Sequence, residues 1–239
     1  MSRASPPPRF DEEFLSWFRE ETEAAWDEYR PRTFDQYVAG RVGGHDWQAG
    51  TRWTCDLVAR DIDELERRWG VAFPADYCLF LRNLHATDRP RTGALYRGGY
   101  ELVPAVGPGV YHWLRDQSAM RAALEDVVQG LVFDVENNVL WPDEWGRRPS
   151  QRGEREQVVR EQVAAAPKLA PIFMHRALVI EPARPGNPVL SIHQSDIIVY
   201  GGDLRSYLLT EFAALLPPGS KPTPDPNGGG HAVPFWLDL

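Results

Sequence analysis

The chain has 239 residues, of which 43% are hydrophobic, which is enough for one well-filled core and favours a single domain. Asp and Glu outnumber Lys and Arg by 34 to 26, so the formal net charge is −8 at pH 7. This balance argues against a general affinity for nucleic acid, which needs clustered cations, and makes a basic partner more natural.

Cysteine content and the length of the apolar runs further limit the class of protein to which the chain can belong. Only Cys55 and Cys78 are present, with no His at zinc-finger spacing, so we expect core or half-buried thiols, with no disulfide framework and no structural zinc. The opening MSRASPPPRF lacks the apolar stretch of a secretory signal, and no segment approaches the roughly 20 apolar residues of a membrane span. We therefore expect a soluble, cytoplasmic protein without a bound cofactor or metal.

Residues 10–30 are predicted to form a helix, because Phe14, Trp17 and Phe18 recur along one side at helical spacing. The opposite side is acidic. An ordinary solvated face is the simpler interpretation, and a docking strip for a partner is the alternative. The acidic residues are Glu12, Glu13, Glu20, Glu23, Asp27 and Glu28.

The next stretch, residues 31–60, mixes glycines with tryptophans and shows no sustained period, so we predict a loop with a short strand near Trp53. The whole segment 1–59 is expected to be a helical extension that packs on the core, because its aromatic side chains are costly to leave in water.

Two helices and their joint are predicted from residues 61–85. Asp61 and Glu64 have the spacing of a capping box, Gly70 suits a left-handed C-terminal cap, and Pro74 suits the start of a second helix. The apolar faces of the two helices are predicted to be Ile62, Leu65 and Trp69, followed by Tyr77, Phe80, Leu81 and Leu84.

The middle of the chain is predicted as a turn-rich stretch over 86–99, a strand over 100–103, and then a helix that ends at Gly130. That helix is marked by Met120, Leu124, Val127 and Val128. The apolar runs 131–135 and 139–141 flank a turn-prone Glu-Asn-Asn sequence, which predicts a β-hairpin.

The last third begins with an amphipathic helix over 154–166, stopped by Pro167, and closes with a short helix over 203–212. Between them are three β-branched runs separated by turns, which we predict to be adjacent antiparallel strands: 172–180, 189–193 and 197–199. The chain is therefore predicted to be α+β, a single domain whose mainly antiparallel sheet has helices packed on one side.

The C-terminal segment, residues 214–239, is predicted to be a Pro- and Gly-rich linker followed by an apolar tail. We expect the tail to dock on the body because its apolar side chains are costly to leave in water. These side chains are Val233, Phe235, Trp236 and Leu237.

The sequence GVAFPADYCLFLRN, through Gly70, Pro74, Asp76, Tyr77 and Leu81, resembles the SUKH superfamily in its cell-wall-assembly-regulator (Smi/Knr-like) branch. Further similarity lies in Phe133-Asp134, Trp141, Trp145-Gly146, His175-Arg176, Gly186-Asn187-Pro188-Val189 and Asp196. The resemblance covers residues 60–213. Where the family usually has Asn-Gly after the second helix, this chain has Asn83-Leu84-His85, so the connection into the first strand is expected to differ.

The resemblance implies an α+β scaffold without shared catalytic machinery, whose bacterial members often serve as immunity proteins that bind and neutralise toxins. Other members are partner-binding regulators. We therefore expect a non-catalytic protein-binding module with a protein partner, most simply a basic, nuclease-like toxin, because complementary charge speeds encounter. A regulatory adaptor that holds its partner through the acidic N-terminal helix is the alternative.

Trp141, Asp143, Glu144 and Trp145 are the primary candidates for partner binding. They lie in a loop, and nine tryptophans are many for this length, while Trp is a frequent interface anchor. The alternative is that both indoles pack beneath the loop and serve the fold alone. Secondary candidates are Asp134, Glu136, Asp196 and Asp203.

An enzyme is the weakest alternative. His175, His193 and Asp196 lie in the strand-rich segment and could in principle form a two-nitrogen, one-oxygen metal site for a hydrolase, but no spacing enforces it. Ser191 and Ser195 lie near His193 without the Gly-x-Ser-x-Gly context of a nucleophile elbow.

Overall fold

The computed structural model describes residues 5–30, 45–96, 100–222 and 233–239, and this part of the chain contains six α-helices, seven strands and a 3₁₀ turn at Asp143–Trp145. The helices are α1 (Glu12–Asp27), α2 (Ala59–Trp69), α3 (Ala75–Asn83), α4 (Gln117–Glu136), α5 (Arg152–Ala165) and α6 (Leu204–Glu211). The strands are β1 (His45–Asp46), β2 (Arg91–Tyr96), β3 (Tyr100–Gly107), β4 (Leu169–Phe173), β5 (Arg176–Val179), β6 (Val189–His193) and β7 (Asp196–Gly201).

The strands form two sheets, and every pairing in them is antiparallel. One sheet has the order β1-β2-β3, and the larger sheet has the order β4-β5-β6-β7, so neighbours in each sheet are consecutive in the chain. Two-residue turns join β4 to β5 and β6 to β7, whereas β1 and β2 are separated by residues 47–90, which include α2 and α3. The α+β class and the mainly antiparallel sheet packed against helices are confirmed.

The larger sheet is covered on both faces, whereas the sequence predicted helices on one side only. Side chains alternate between the faces of a strand, and successive residues here belong to two different apolar clusters. In the first cluster, apolar residues of α1, α2, α3 and α6 pack with Ala170, Ile172, Leu178, Ile180 and Val189. The second takes Leu169, Ala177, Val179, Leu190 and Ile192 together with α4, α5 and the C-terminal tail.

The N-terminal helix belongs to the first cluster. Asp11 caps α1 by accepting from the Phe14 N–H at 3.0 Å, and the apolar face of the helix is buried. Phe18 packs edge-on against Phe212 at 5.3 Å, and Trp26 contacts Trp47 at 5.2 Å between ring centroids. The described part of the N-terminal segment therefore extends the core.

The joint between α2 and α3 follows the sequence closely. Gly70 has a φ of +63° and ends α2, while Pro74 immediately precedes α3. The start of α2 differs from prediction, since Asp61 accepts from the Val58 N–H at 3.3 Å instead of pairing with Glu64 in a capping box. The helix therefore begins at Ala59, before the predicted start.

The predicted β-hairpin at 131–141 is wrong, because α4 continues through Gly130 to Glu136. A Cβ at Gly130 would lie 3.1 Å from the Cα of Gln194, so glycine here allows the helix to approach the β6–β7 turn. The apolar run that suggested a strand is the buried face of the helix, formed by Leu131, Val132 and Val135.

Three smaller predictions also need correction. The predicted strand over 172–180 is divided into β4 and β5 by a turn in which Met174 has a φ of +51°. The stretch predicted as turns over 86–99 contains β2. The predicted strand near Trp53 is a single bridge to Thr87.

The C-terminal tail packs on the second cluster. Val233 and Trp236 are buried, and the Trp236 indole N–H donates to the Pro167 carbonyl at 2.7 Å. Most of the predicted linker, residues 223–230, lies outside the described residues. Cys55 and Cys78 are free, half-buried thiols, and none of the described helices is long and apolar enough to span a membrane.

Candidate functional site

The predicted interface loop has half-buried indoles and exposed carboxylates. Trp141 donates from its indole N–H to the Gly146 carbonyl at 2.9 Å and meets Trp145 edge-on at 5.4 Å. Trp145 also stacks with Phe235 of the tail at 6.4 Å. Asp143 and Glu144 are exposed. The half-buried indoles therefore contact the loop backbone and the tail, while the two acids face solvent.

Arg148 fixes this loop to the end of α4. Its guanidinium donates to the Val135 carbonyl and to the Asn138 side chain, and it lies over the Trp141 ring at 5.9 Å. The chain after α4 is held in turn by the Asp134 carbonyl, which accepts from the Val139 N–H at 2.9 Å. Arg148 therefore ties the loop to the C-terminal end of α4.

Two apolar side chains of this region, missed from sequence, point into solvent. Phe133 is 55% exposed and Val139 is 69% exposed, although both are large and hydrophobic. The sequence placed them in hairpin strands, where one face of each strand would be buried. Once the segment is recognised as helix, Phe133 falls opposite the buried residues of α4. We name Phe133, Val139, Asp143 and Glu144 the loop surface.

The secondary candidates are mainly structural. Asp134 is buried and accepts from the Ser195 N–H at 2.9 Å and hydroxyl at 2.6 Å. Glu136 forms a two-fold pair with Arg155, both contacts being 2.7 Å, and this pairing lowers the pKa of Glu136.

The remaining two secondary candidates lie around β7. Asp203 caps α6 by accepting from the Ser206 N–H at 2.7 Å. Asp196 is exposed and stands opposite His193 in the β6–β7 register. Among the described residues, neither acid is hydrogen-bonded or ion-paired to a residue of the loop surface.

His175 and His193 line a cleft of about 500 Å³ between α4 and the strand turns, but Asp196 does not line it. The carboxylate at this cleft is Asp126 on α4. The cleft walls desolvate the partly exposed His175 imidazole, and with Arg176 and His193 nearby they lower its pKa to about 4. Within the described residues, the predicted His175–His193–Asp196 set does not bring its ligand atoms within 4.8 Å of one another.

A different cluster does bring its potential ligand atoms within 4.8 Å of one another, and it is formed by Asp56, His85 and His112. Asp56 precedes α2, His85 follows α3 with a φ of +57°, and His112 precedes α4. The Asp56 oxygens lie 2.6 Å from His85 Nδ1 and 2.9 Å from His112 Nε2. Both imidazoles are buried, whereas the Asp56 side chain is 46% exposed. Thr54 also donates to the carboxylate at 3.0 Å.

The hydrogen bonds define the tautomers of both histidines. His85 Nε2 accepts from the Trp113 N–H at 3.0 Å, so the His85 proton is on Nδ1 and is donated to Asp56. His112 Nδ1 accepts from the Leu114 N–H at 3.2 Å, so its proton is on Nε2 and is also donated to Asp56. Two neutral imidazoles therefore hold one ionised carboxylate.

The ionisation of this cluster follows from burial and bonding. Burial raises the pKa of Asp56, but hydrogen bonds from His85, His112 and Thr54 outweigh it, so the pKa lies well below the usual range. Burial lowers the pKa of His85 to about 4, which the contact with Asp56 opposes and the nearby His112 and Arg115 reinforce.

The cluster has the residue types of a metal site but not the surrounding hydrogen bonds. A metal-bound imidazole normally donates its second N–H to an acceptor. Here the second nitrogens of His85 and His112 accept from backbone N–H groups. If a metal ion took the first nitrogens, the second would carry protons, and each N–H would then face a backbone N–H in a buried place. The same contacts leave neither imidazole a nitrogen for acid–base chemistry on a substrate.

The acidic face of α1 is only partly free. Glu23 accepts from the Trp53 N–H at 3.0 Å, and Asp27 pairs with Arg52 at 2.6 Å. The exposed members of the face are Glu12, Glu13, Glu20, Asp27 and Glu28. Part of this face therefore fixes the loop before α2, and the rest is available to solvent.

Comparison with known proteins finds no relative: no family model, no curated protein and no solved structure matches the chain. The resemblance to the SUKH superfamily therefore remains a prediction.

Proposed function

We propose that the chain is a non-catalytic protein-binding module of the SUKH type, which acts in the cytoplasm as an immunity protein and neutralises a basic toxin. The observation that supports this proposal is the exposure of Phe133 and Val139, at and just after the end of α4, together with the exposed acids Asp143 and Glu144 in the loop that Arg148 ties to that end. Large exposed apolar side chains rimmed by charge are typical of sites that bind proteins.

The support beneath the loop surface favours binding. Trp141 bonds to the Gly146 carbonyl, Trp145 stacks on Phe235, and Arg148 bonds to Val135 in α4 and to Asn138 just after it. A loop fixed in this way loses little conformational freedom when a partner binds, which improves affinity without additional contacts.

Charge favours a basic partner. The net charge of −8 gives an attractive long-range field, and Asp143 and Glu144 add exposed negative charge to a loop that also carries the exposed Arg147. Complementary charge accelerates encounter and selects the partner, while the apolar contacts supply most of the affinity.

The test is capture of the partner from the native host with tagged protein, followed by calorimetric titration of the purified partner at two salt concentrations. Replacing Phe133→Ser and Val139→Ser should weaken binding by at least about 30-fold, the loss of a central anchor. Replacing Asp143→Asn and Glu144→Gln should weaken it by about 5- to 10-fold and reduce its salt dependence.

The matched control carries the same number of charge changes on α1, Glu12→Gln with Glu13→Gln, and should bind like wild type. If that control loses affinity while both loop variants keep it, the regulatory-adaptor alternative with α1 as the docking strip replaces the proposal. The captured partner should also arrest growth when expressed alone, and co-expression with the wild-type chain should restore growth. A partner without toxicity would reject the immunity role.

A further inference from the structure

A pocket of about 390 Å³ lies on the second cluster, at its border with the first. The end of α2, residues 121–128 of α4, α5 and the C-terminal tail meet around it, and its volume is in the range of sites that hold small organic molecules. Apart from three charged residues, its lining is apolar. The main walls are the half-buried Trp69, Leu124, Val127 and Val163, together with the buried Trp236.

The charge at this pocket is opposite in sign to that of the chain. Its charged lining residues are Arg121, Lys168 and Glu125, whereas the chain as a whole carries −8. Glu125 is already engaged, because it accepts from Arg160 at 2.7 and 3.1 Å and from Gln129 at 2.8 Å. Both cations are exposed while the apolar walls are half-buried or buried, so the positive charge lies on the solvent side of the pocket.

Arg121 is the cation with free donors. Its Cζ lies 4.2 Å from the centroid of the Trp69 ring, and this contact holds the guanidinium over the indole. No carboxylate or carbonyl among the described residues accepts a hydrogen bond from it. Lys168, in contrast, donates to the Gly70 carbonyl at 3.1 Å and pairs with Glu181 at 3.0 Å. A guanidinium with free N–H groups suits a carboxylate, which it can bind through two parallel hydrogen bonds.

We propose that this pocket binds a small carboxylic acid with a hydrocarbon body, which lies against Trp69, Leu124 and Trp236 and places its carboxylate on Arg121. The apolar walls favour the hydrocarbon because it leaves water, and the cation on the solvent side sets its orientation. The pocket is separate from the loop surface. Leu124 precedes Phe133 by nine residues on α4, a rise of about 13 Å, so the acid and the proposed protein partner occupy different places.

The experiment is an NMR titration of the isotope-labelled full chain with sodium decanoate at pH 7.5, below the concentration at which decanoate forms micelles. The indole N–H signals of Trp69 and Trp236 should shift and saturate. Those of Trp26 and Trp53, which lie in the interior of the first cluster, should not respond. Absence of saturable shifts at Trp69 and Trp236 would overturn the proposal.

Matched ligands test the charge of the acid. Decylammonium has the same chain length and the opposite charge, and it should bind at least about tenfold more weakly than decanoate, because it meets Arg121 and Lys168. Equal or tighter binding of decylammonium would show that the pocket does not select an acid.

Two charge variants test the role of Arg121. Arg121→Gln should weaken decanoate binding by about tenfold but should change the affinity for uncharged decanol by less than about twofold. The control, Arg67→Gln, removes an exposed cation of α2 that does not line the pocket, and it should leave both affinities unchanged. Equal weakening in the two variants would reduce the effect to long-range charge and would reject a carboxylate site at Arg121.

A third variant fills the pocket. Val163→Phe enlarges a half-buried wall on α5 and should abolish the decanoate shift of Trp236. Retained binding would place the acid elsewhere. If this variant does not fold, the exposed position of Arg121 keeps the proposal testable through Arg121→Gln. Decanoate should bind normally to the variant that carries Phe133→Ser and Val139→Ser, so this site and the proposed partner surface can fail independently.

Discussion

Asp76, in the first turn of α3, accepts a hydrogen bond of 2.8 Å from the backbone N–H of Gly186, 110 residues later in the chain. Its other oxygen accepts from the Tyr77 N–H at 2.9 Å. Both Asp76 and Gly186 belong to segments that carry the SUKH resemblance, and their contact anchors the β5–β6 turn on α3. Burial raises the pKa of Asp76, and these backbone donors oppose the rise.

Asp76→Ala should lower the free energy of unfolding by about 1–3 kcal/mol, because two backbone donors lose their acceptor in a half-buried place. Urea unfolding at pH 7 measures the change. The control is Asp63→Ala on the exposed side of α2, which should alter stability by no more than about 0.5 kcal/mol. Equal losses in the two variants would contradict a specific role for the Asp76–Gly186 contact.

Two glycines should respond oppositely to alanine. A Cβ at Gly201 would lie 2.6 Å from the Tyr207 backbone, so Gly201→Ala must separate β7 from α6 and should cost at least about 3 kcal/mol. A Cβ at Gly153 in α5 meets nothing within 4 Å, and Gly153→Ala should stabilise by about 0.5 kcal/mol. Thermal unfolding of both variants provides the comparison, and a stable Gly201→Ala would show that α6 can move.

Acid should weaken the fold through His85. Its folded-state pKa of about 4 lies below the unfolded value of 6.5, so the unfolded chain takes up the proton first as pH falls. The contribution is fully present above pH 6.5 and about 3 kcal/mol is lost by pH 4. Asp56 acts in the same direction, because its lowered pKa adds a loss below the ordinary carboxyl range.

Urea unfolding of wild type and His85→Asn at pH 7, 5.5 and 4.5 isolates the contribution of His85 to the free energy of unfolding. The histidine of the β4–β5 turn, His175, also has a lowered pKa and contributes to both proteins alike. The variant should be less stable than wild type at pH 7 but should lose less stability on acidification. Parallel curves would assign the acid response to other groups.

The C-terminal tail should contribute substantially to stability. Trp236→Ala removes a buried indole and its bond to the Pro167 carbonyl and should cost about 3–5 kcal/mol. Trp236→Phe keeps an aromatic ring and should cost less. Leu237 is 38% exposed, so Leu237→Ala should change the denaturant midpoint only slightly. A tail that tolerates all three changes would not be part of the core.

Local signals account for what was predicted correctly. Gly70 and Pro74 define the joint between α2 and α3 because each acts through its own backbone, without help from distant residues. The same logic predicts a helix end at Gly130, but its role is to allow close approach of the turn at Gln194, which is a tertiary contact. The predicted hairpin depends on that helix end, and it hides the exposed position of Phe133 on α4.

The histidine cluster left almost no local signal. Asp56 is 29 residues from His85 and 56 residues from His112, and the three side chains meet only through the packing of separate loops. The one hint was the Asn83-Leu84-His85 sequence, which stands where the resembled family usually has Asn-Gly, and His85 adopts a left-handed backbone. The four residues of the candidate loop could be grouped from sequence because they are neighbours in the chain, whereas the contacts of Arg148 with Val135 and Asn138 and of Trp145 with Phe235 join positions that lie farther apart.

The helix α4, the longest in the described part of the chain, takes part in both apolar clusters. It supplies Met120 to the first cluster and Val128, Leu131, Val132 and Val135 to the second. The strands of the larger sheet also supply residues to both clusters. If one cluster unfolds, the other therefore loses the helix and strands against which it packs. The two sides of the sheet consequently form one cooperative unit, and denaturation should proceed in a single all-or-none transition.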